Sequence, residues 1–554
     1  MSYVVGPTTN LPFPDQQHAD LTDLDSKATM THLEEATGDL ASEPVAVDTL
    51  LPRYSLIKSL FVYRTASLWA LAVLAGALFD GYALVAPGTV MVNYEFIDKF
   101  GGPVVGGVKQ LYAYQVAAWG GILNAGQILG MLLGSLTSDR FGRVFNIRLI
   151  GFLMVVSIIL NLTMQNWLYY LFSRFLTGWA TGLVQSGLTV YVSEISPPHI
   201  RSTMLFVYSI WYSVGAFVGI IAGQIITSTG APYQHAFYSE LVFLGLFVPA
   251  LIFAPETPWF HGFRRNEAAT KKSLVRLFGN VEGFDVDHEY LVIMAEVHKQ
   301  DGMKAQSAAR GYLALFKGVD RRRTWISFFP LIASQFIGLP LIGSGLPYYL
   351  SLLGTANPLI PSIASWVTTI GTMFVSAAIV NRVGRRPLLL GGILVSLIAC
   401  LAIGGIGTKI RMSGGTLPAA GMGAIVGISV VWYTAFGLST APLSWAYLAD
   451  TATPALRART ASIAAGLSAM PGLVFNYTTP ILLSAQEANW GLELGYFYAG
   501  LSAIAVVVVF FTIPETQGRT FRELDELFER KTHTRKFKET TVDDVSNAVP
   551  ASAA

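Results

Sequence analysis

Charge is what this sequence most lacks. Of its 554 residues only 13% are Asp, Glu, Lys or Arg, while 52% are hydrophobic, and the mean hydropathy is +0.50. Soluble globular chains carry about 25% charged residues. Most of this surface therefore faces something other than water, and lipid is the plain candidate. Cysteine is almost missing: Cys400 alone excludes an internal disulfide and any cysteine-built metal site. No HExxH occurs, since His288 and Glu289 open "HEYLV" without a second histidine. No Walker loop is present, so ATP-driven chemistry has no support. A net charge of +2 gives no nucleic-acid signal. The residues thus point to no enzyme, no cofactor and no metal. The first fifty or so residues hold many acids and few bases. They also lack the apolar core of a signal peptide, and they read as a disordered tail.

What is present is a series of apolar stretches near 20 residues long, the length that crosses hydrocarbon at about 1.5 Å per residue. Twelve are expected. The first six lie near 66–88, 114–137, 146–165, 168–191, 204–226 and 235–254. The second six lie near 324–350, 361–381, 388–407, 422–447, 460–484 and 491–513. The loops sort by charge. Those after spans 2, 4, 6, 8 and 10 carry Arg140, Arg143, Arg201, a basic segment over 264–323, Arg382, Arg385, Arg386, Arg457 and Arg459. Those after spans 3, 5, 7 and 11 carry no Lys or Arg. The positive-inside rule then puts both termini and the central segment in the cytosol. The expected organisation is an N-terminal tail over 1–60, a six-helix bundle over 61–257 and a linker with short helices over 258–323. A second six-helix bundle over 324–515 and a C-terminal tail over 516–554 complete it.

Three landmarks recur in order. "DRFGR" (139–143) is echoed by "NRVGRR" (381–386), "EISPPHIR" (194–201) by "DTATPALR" (450–457), and "PETP" (255–258) by "PETQGRT" (514–520). Their offsets are 242, 256 and 259 residues. Two six-helix halves with matching ends describe a parallel repeat about an axis along the membrane normal, a design that moves cargo by rocking one half against the other. On these landmarks, with "SRFLTGWATGL" (173–183), "WYSVGAFVG" (211–219) and "APLSWAYLAD" (441–450), the chain resembles the major facilitator superfamily. Within it the likeness is to the sugar porters, chiefly the fungal hexose and lactose-type permeases, over about residues 66–530. The resemblance implies an all-α membrane protein of twelve helices in two pseudo-symmetric halves, with mono- or disaccharide as cargo and the plasma membrane as location.

The charged ends are expected to act as a gate. Asp139, Arg140, Arg143, Glu194, Arg201 and Glu256 face their counterparts Arg382, Arg385, Arg386, Asp450, Arg457 and Glu515. Arginine and carboxylate at a half-dry boundary pair bidentately in one conformation and part in another. Anchoring to lipid headgroups explains the cations but not the matched acids. Asn381 stands where the first half has Asp139. Inside the membrane, Asp80 and Arg174 are the costly ionisable groups. Their depths suggest a pair. The resemblance implies a first-span carboxylate that carries a coupling proton, although the usual position of that acid is here Ala83, three residues later. Glu240 reads as interfacial.

A sugar needs amides and hydroxyls for its hydroxyl groups and rings for its C–H faces. The resemblance aligns Gln335, Tyr348, Tyr349 and Trp445 with contacts of the family, although a second glutamine after Phe336 is missing and the spacing from Gln335 to the tyrosines is long. Ser213 and Thr369 stand where the family often has amides. Tyr212 and Asn476 complete the candidate set. The pocket so drawn is larger and less polar than a glucose site. Uniport or proton symport, a transporter-like sugar sensor, and quinate, polyol, inositol or another metabolite as cargo all stay open at this point.

Overall fold

The structure is a computed structural model that describes residues 54, 56–105, 108–197, 200–310, 318–352, 358–413, 419–451, 457–517, 521–530, 532–537 and 540. All twelve apolar stretches are helical. Span 1 runs over Arg64–Leu74 and Gly76–Val90, span 2 over Ala113–Phe141 and span 3 over Arg143–Leu162. Span 4 is Trp167–Leu183, a π-helical turn at Val184–Leu188, then Thr189–Ile195. Span 5 is Arg201–Thr229 and span 6 Gln234–Phe253. Span 7 is Gly318–Phe336, a π-helical stretch at Leu339–Gly345, then Leu346–Leu352. Span 8 is Ile360–Val383, span 9 Arg385–Met412, and span 10 Ala419–Leu438 with Thr440–Thr451. Span 11 is Arg457–Leu483 and span 12 Leu494–Thr512. Among the described residues nine helices are long and apolar enough to cross a membrane. Spans 4, 7 and 11 fall short of that measure. Val104–Val105 and Val108–Lys109 form a two-stranded antiparallel hairpin in the loop after span 1.

Backbones in apolar spans approach closely where side chains are small. Gly126 and Gly130 of span 2 lie against the backbone of Phe175 and Trp179, and Gly178 and Gly182 of span 4 against that of Leu123 and Gln127. A Cβ at any of the four would overlap main-chain atoms. Two reciprocal GxxxG faces thus lock spans 2 and 4 together, and Gly81 and Gly215 do the same for spans 1 and 5. One large apolar core fills the first half and another the second.

The halves meet along two seams and at one end. Gly120 and Gly121 of span 2 pack on Asn476 and Tyr477 of span 11. Tyr212 of span 5 meets Trp366 of span 8 edge-on, ring centroids 6.4 Å apart, and Phe206 meets Phe374 at 6.1 Å. At the end opposite the arginines, Tyr348 inserts into a cluster with Val90, Phe96, Trp119 and Tyr170 of the first half. Gln486 there donates to the Leu111 carbonyl at 3.0 Å.

The segment between the halves is more structured than a linker with short helices. Pro258–Phe263, Glu267–Phe278 and the 25-residue Val286–Arg310 are helical. Asn266 caps the second by accepting from Ala269 N–H at 3.1 Å. Its buried Leu274, Leu277 and Phe278 join the core of the first half with Ile293 and Val297. Lys271 bridges Glu267 and Asp287 at 2.5 and 2.6 Å, and these hydrogen bonds raise its pKa. Past span 12, the helix Phe521–Glu529 buries Leu524, Leu527 and Phe528, and Phe537 follows them into the core of the second half. Full burial of each is worth about 1.5–3 kcal/mol, so this stretch is part of the bundle, not a free tail.

Candidate functional site

The cationic knots resolve into a backbone device. Gly142 and Gly384 hold φ of 107° and 102°, a region that favours glycine. Each turn aims the first N–H groups of the next helix at a carboxylate. Glu256 accepts from the N–H of Arg143 at 3.0 Å, Val144 at 3.2 Å and Thr257 at 3.1 Å. Glu515 accepts from the N–H of Arg385 at 3.0 Å, Arg386 at 3.1 Å and Gln517 at 3.1 Å. Each glutamate thereby satisfies orphan donors and opposes the positive end of a helix. A Cβ on either glycine would run into that glutamate's Oε2. The neighbouring proline carbonyls are tied down alike, Pro255 by the Tyr191 hydroxyl at 2.8 Å and Pro514 by the Tyr447 hydroxyl at 3.1 Å.

Among the described residues the expected arginine–carboxylate pairing is seen at Arg143. Buried Arg143 grips Glu194 through Nε at 3.1 and 3.0 Å and Nη2 at 2.9 Å, and Thr257 donates to the same carboxylate at 2.5 Å. Asp139, largely exposed, lies 3.5 Å from Arg143. Arg140 is exposed and its carbonyl accepts from Arg264. Arg201 is half-buried with Nε unpartnered. Arg385 donates to Thr516 at 3.1 Å and Arg386 to the Phe510 carbonyl at 2.7 Å, while Arg382 is exposed. The side chains of Asp450, Arg457 and Asn381 lie outside the described residues. Every bond found among these groups stays within one half.

Asp80 and Arg174 are both buried, but the structure does not pair them. Asp80 accepts from Gln185 at 3.3 and 3.1 Å and from the Tyr208 hydroxyl at 2.7 Å. Arg174 donates to the Ala83 carbonyl at 3.4 Å and Thr177 at 3.5 Å, and lies over the Tyr170 ring. The three-residue displacement explains it. At 1.5 Å per residue the acid sits about 4.5 Å along the helix from position 83, whose carbonyl Arg174 reaches, while Gln185 reaches the acid. Glu240, expected at the interface, is buried with Oε1 unpartnered.

The candidate cargo residues divide. Gln335 has its Oε1 buried without a partner, and a Cβ built on Gly472 of span 11 would lie 3.0 Å from Asn124 Oδ1 and 3.5 Å from Gln335 Nε2. Span 2, span 7 and span 11 thus bring amides together across the seam between the halves. Asn476 donates to the Gly472 carbonyl at 2.8 Å, one turn away. Trp445 is half-exposed. Tyr348 and Tyr349 are both buried and part company: the first enters the other half, the second packs in its own. Ser213 and Thr369 are buried and donate to carbonyls of their own helices, Ser209 and Ser365, each at 2.9 Å. The long spacing from Gln335 to the tyrosines has a cause. Gly338 at φ 90° breaks span 7, the π-turn follows, and the Ile337 carbonyl freed at the break accepts from Trp432 Nε1 at 2.8 Å.

Sequence reasoning missed Asn124, Gln127, Gln185, Tyr208 and Trp366, whose buried Nε1 lacks a partner. Amides inside apolar spans carry a signal of their own; only the charged groups were weighed by that rule. The best-defined grooves, about 310 and 360 Å³, lie between spans 9 and 10, lined by Gly391, Val395, Ala402, Gly427 and Val431. They are apolar and do not include the amide cluster.

The family profile described as "Sugar (and other) transporter" matches residues 68–528. The chain is 25% identical over 467 residues to the MFS transporter fmqE of Aspergillus fumigatus, covering 83% of this chain and 85% of that one. To the general alpha-glucoside permease of Saccharomyces cerevisiae it is 23% identical, covering 88% and 79%. The fold is similar to that of the xylose transporter XylE from E. coli in a partially occluded inward open conformation. There the TM-score is 0.64 and the identity 19%, over 82% of this chain and 100% of that one. A match across most of both halves leaves one assignment: the chain belongs to the sugar (and other) transporter family of the major facilitator fold, as a multi-pass membrane transporter and not an enzyme.

Proposed function

We propose that the chain imports a mono- or disaccharide through the plasma membrane by alternating access, coupled to a proton carried by Asp80. The observation that carries the reading is the amide cluster at the seam, Asn124 and Gln335 around Gly472, with the buried carboxylate of Asp80 two spans away. A neutral, hydroxyl-rich cargo suits amides with bonding capacity to spare: Gln335 Oε1 has no partner, and Asn124 spends its NH₂ on the Gly120 carbonyl at 2.9 Å and keeps Oδ1 toward Gly472. A carboxylate held in an apolar bundle without a cationic partner suits reversible protonation. In this reading Gln335, Asn476, Tyr212 and Trp445 contact cargo. Ser213, Thr369, Tyr348 and Tyr349 shape the passage from behind. The arginine-rich ends and both termini face the cytosol, as the charge of the loops requires. The Arg143–Glu194 pair and the Glu256 and Glu515 caps make each half a rigid body, so that the halves rock as units.

The names of two relatives, an alpha-glucoside permease and a maltose permease of Saccharomyces cerevisiae, agree with a pocket larger than a glucose site. The test is uptake by cells stripped of their own carriers. Labelled glucose, xylose, maltose, lactose, cellobiose, inositol and quinate are supplied while external pH is recorded. Uptake of one sugar with simultaneous alkalinisation is the expected result. Uptake at constant pH removes the proton from the account; uptake of quinate or inositol alone removes the sugar.

A further inference from the structure

Asp80 is joined to the seam between the halves by a chain of two amides. Its carboxylate is acceptor-only, so Gln185 must present its NH₂ group to it, and does so at 3.3 and 3.1 Å. That orientation leaves Gln185 Oε1 facing span 2, where Gln127 Nε2 donates to it at 2.9 Å. Gln127 is half-buried and is left with Oε1 as its outward atom, an acceptor. It lies three residues after Asn124, on the same face of span 2. The chain depends on particular packing: Gln185 stands in the π-turn of span 4, and the Gly182 contact holds that span against Gln127's own carbonyl.

We propose that Gln185 and Gln127 relay the charge state of Asp80 to the cargo passage as a switch of hydrogen-bond polarity. The proposal rests on the reading of Asp80 as the proton carrier. When Asp80 takes a proton it gains an O–H donor, and Gln185 turns its amide to accept it through Oε1. Gln185 Nε2 then faces Gln127, which turns in response, accepts through its own Oε1 and leaves its NH₂ outward. Each neighbouring pair keeps a hydrogen bond, the forked contact of Gln185 on both carboxylate oxygens becoming a single one, and no covalent bond changes beyond the proton's. The passage sees an acceptor before protonation and a donor after it. Tyr208 is a poorer receiver for that proton, because turning its hydroxyl to accept takes its own hydrogen from Asp80, the one acceptor it has among the described residues. An unmade buried hydrogen bond is costly.

The titratable groups on the elements packed around Asp80 are Arg201, Tyr208 and Tyr212 on span 5, Tyr169, Tyr170 and Arg174 on span 4, and His235, Tyr238 and Glu240 on span 6. Tyr82 and Arg64 on its own span and Tyr348 and Tyr349 on span 7 complete the set. Of these only Tyr208 bonds to it. Gln185 and Gln127 are accordingly positioning residues, and they act on cargo through orientation alone.

The test needs no cargo. The full chain is purified in lipid nanodiscs with isotope-labelled glutamine, and infrared difference spectra are taken on a step from alkaline to acid pH. The expected result is a protonated-carboxyl band, removed by Asp80→Asn, that appears together with a shift of glutamine side-chain carbonyl bands. Gln185→Leu should keep the carboxyl band and lose the amide shift. Gln127→Leu should keep the carboxyl band and diminish the shift, and near-parent thermal unfolding of both leucine variants checks that they fold. A carboxyl band without any glutamine shift, or a shift that survives Gln185→Leu, overturns the relay and leaves Asp80 as the carrier. A spectrum unchanged by Asp80→Asn overturns the relay together with the carrier it rests on.

Discussion

At the scale of the residue, the two glycines of the charged turns are the sharpest case. Gly142→Ala or Gly384→Ala must place a Cβ at φ above 100° and ψ near 160°, which costs roughly 1–3 kcal/mol from the backbone alone, and must also push Glu256 or Glu515 from its cap. Both variants are expected to melt well below the parent in detergent, while Ala at Gly371, which has open space around it, should change little. Glu256 makes a second prediction. Glu256 takes the N–H of Arg143 on one oxygen and that of Val144 on the other; Gln keeps one acceptor and sets its NH₂ against the remaining donor, whereas Ala leaves both bare at about 1–3 kcal/mol for a buried donor. Thermal unfolding should therefore rank Glu256→Gln below the parent and above Glu256→Ala, and Glu515, which also uses both oxygens, should repeat the order. These residues were visible in the sequence as repeated letters, and their chemistry was not. The letters suggested side chain meeting side chain; in the fold the glutamates meet main-chain N–H groups, which no sequence displays.

At the scale of the element, the twelve spans were legible because lipid demands long apolar helices and permits little else. Interruptions within them were not. The π-turns at Val184–Leu188 and Leu339–Gly345 add a residue to a turn, and a sequence shows this only as odd spacing, as it did between Gln335 and the tyrosines. Such turns often mark functional sites, and each here carries or adjoins a proposed one. The seam of spans 2 and 4 allows a direct prediction. Gly182→Val would force the helices apart at Gln127 and should abolish transport, whereas Gly245→Val on span 6, where nothing lies within 4 Å, should leave uptake near the parent's. Uptake by whole cells, normalised to protein at the surface, measures both. Within the cargo site, Gln335→Ala should raise the KM for the transported sugar about ten-fold, as loss of one hydrogen bond of about 1.4 kcal/mol implies. Thr369→Val should leave it unchanged, because Thr369 donates to its own helix.

At the scale of the whole molecule, two halves are joined along spans 2 and 11 and spans 5 and 8, and the second core takes in Ala216 and Ile220 of span 5; these are the two bodies that the proposed alternating access rocks against each other. Tyr348 of the second half closes one end by entering the first. That organisation was readable from the three repeated landmarks, since only a duplicated bundle gives matched ends at nearly constant offsets. Which groups face each other inside was not readable. Asp80 and Arg174 share a depth on paper, yet a shift of three residues sends them to different partners. The central claim is that Asp80 carries a proton in exchange for concentrating sugar. Its most direct test is Asp80→Asn in proteoliposomes, with whichever sugar the uptake panel identifies, under two conditions. Equilibrium exchange with no pH gradient asks only that the halves rock, and accumulation against an imposed gradient asks that they be coupled. The account predicts exchange close to the parent's and no accumulation. Full gradient-driven accumulation by Asp80→Asn would contradict it.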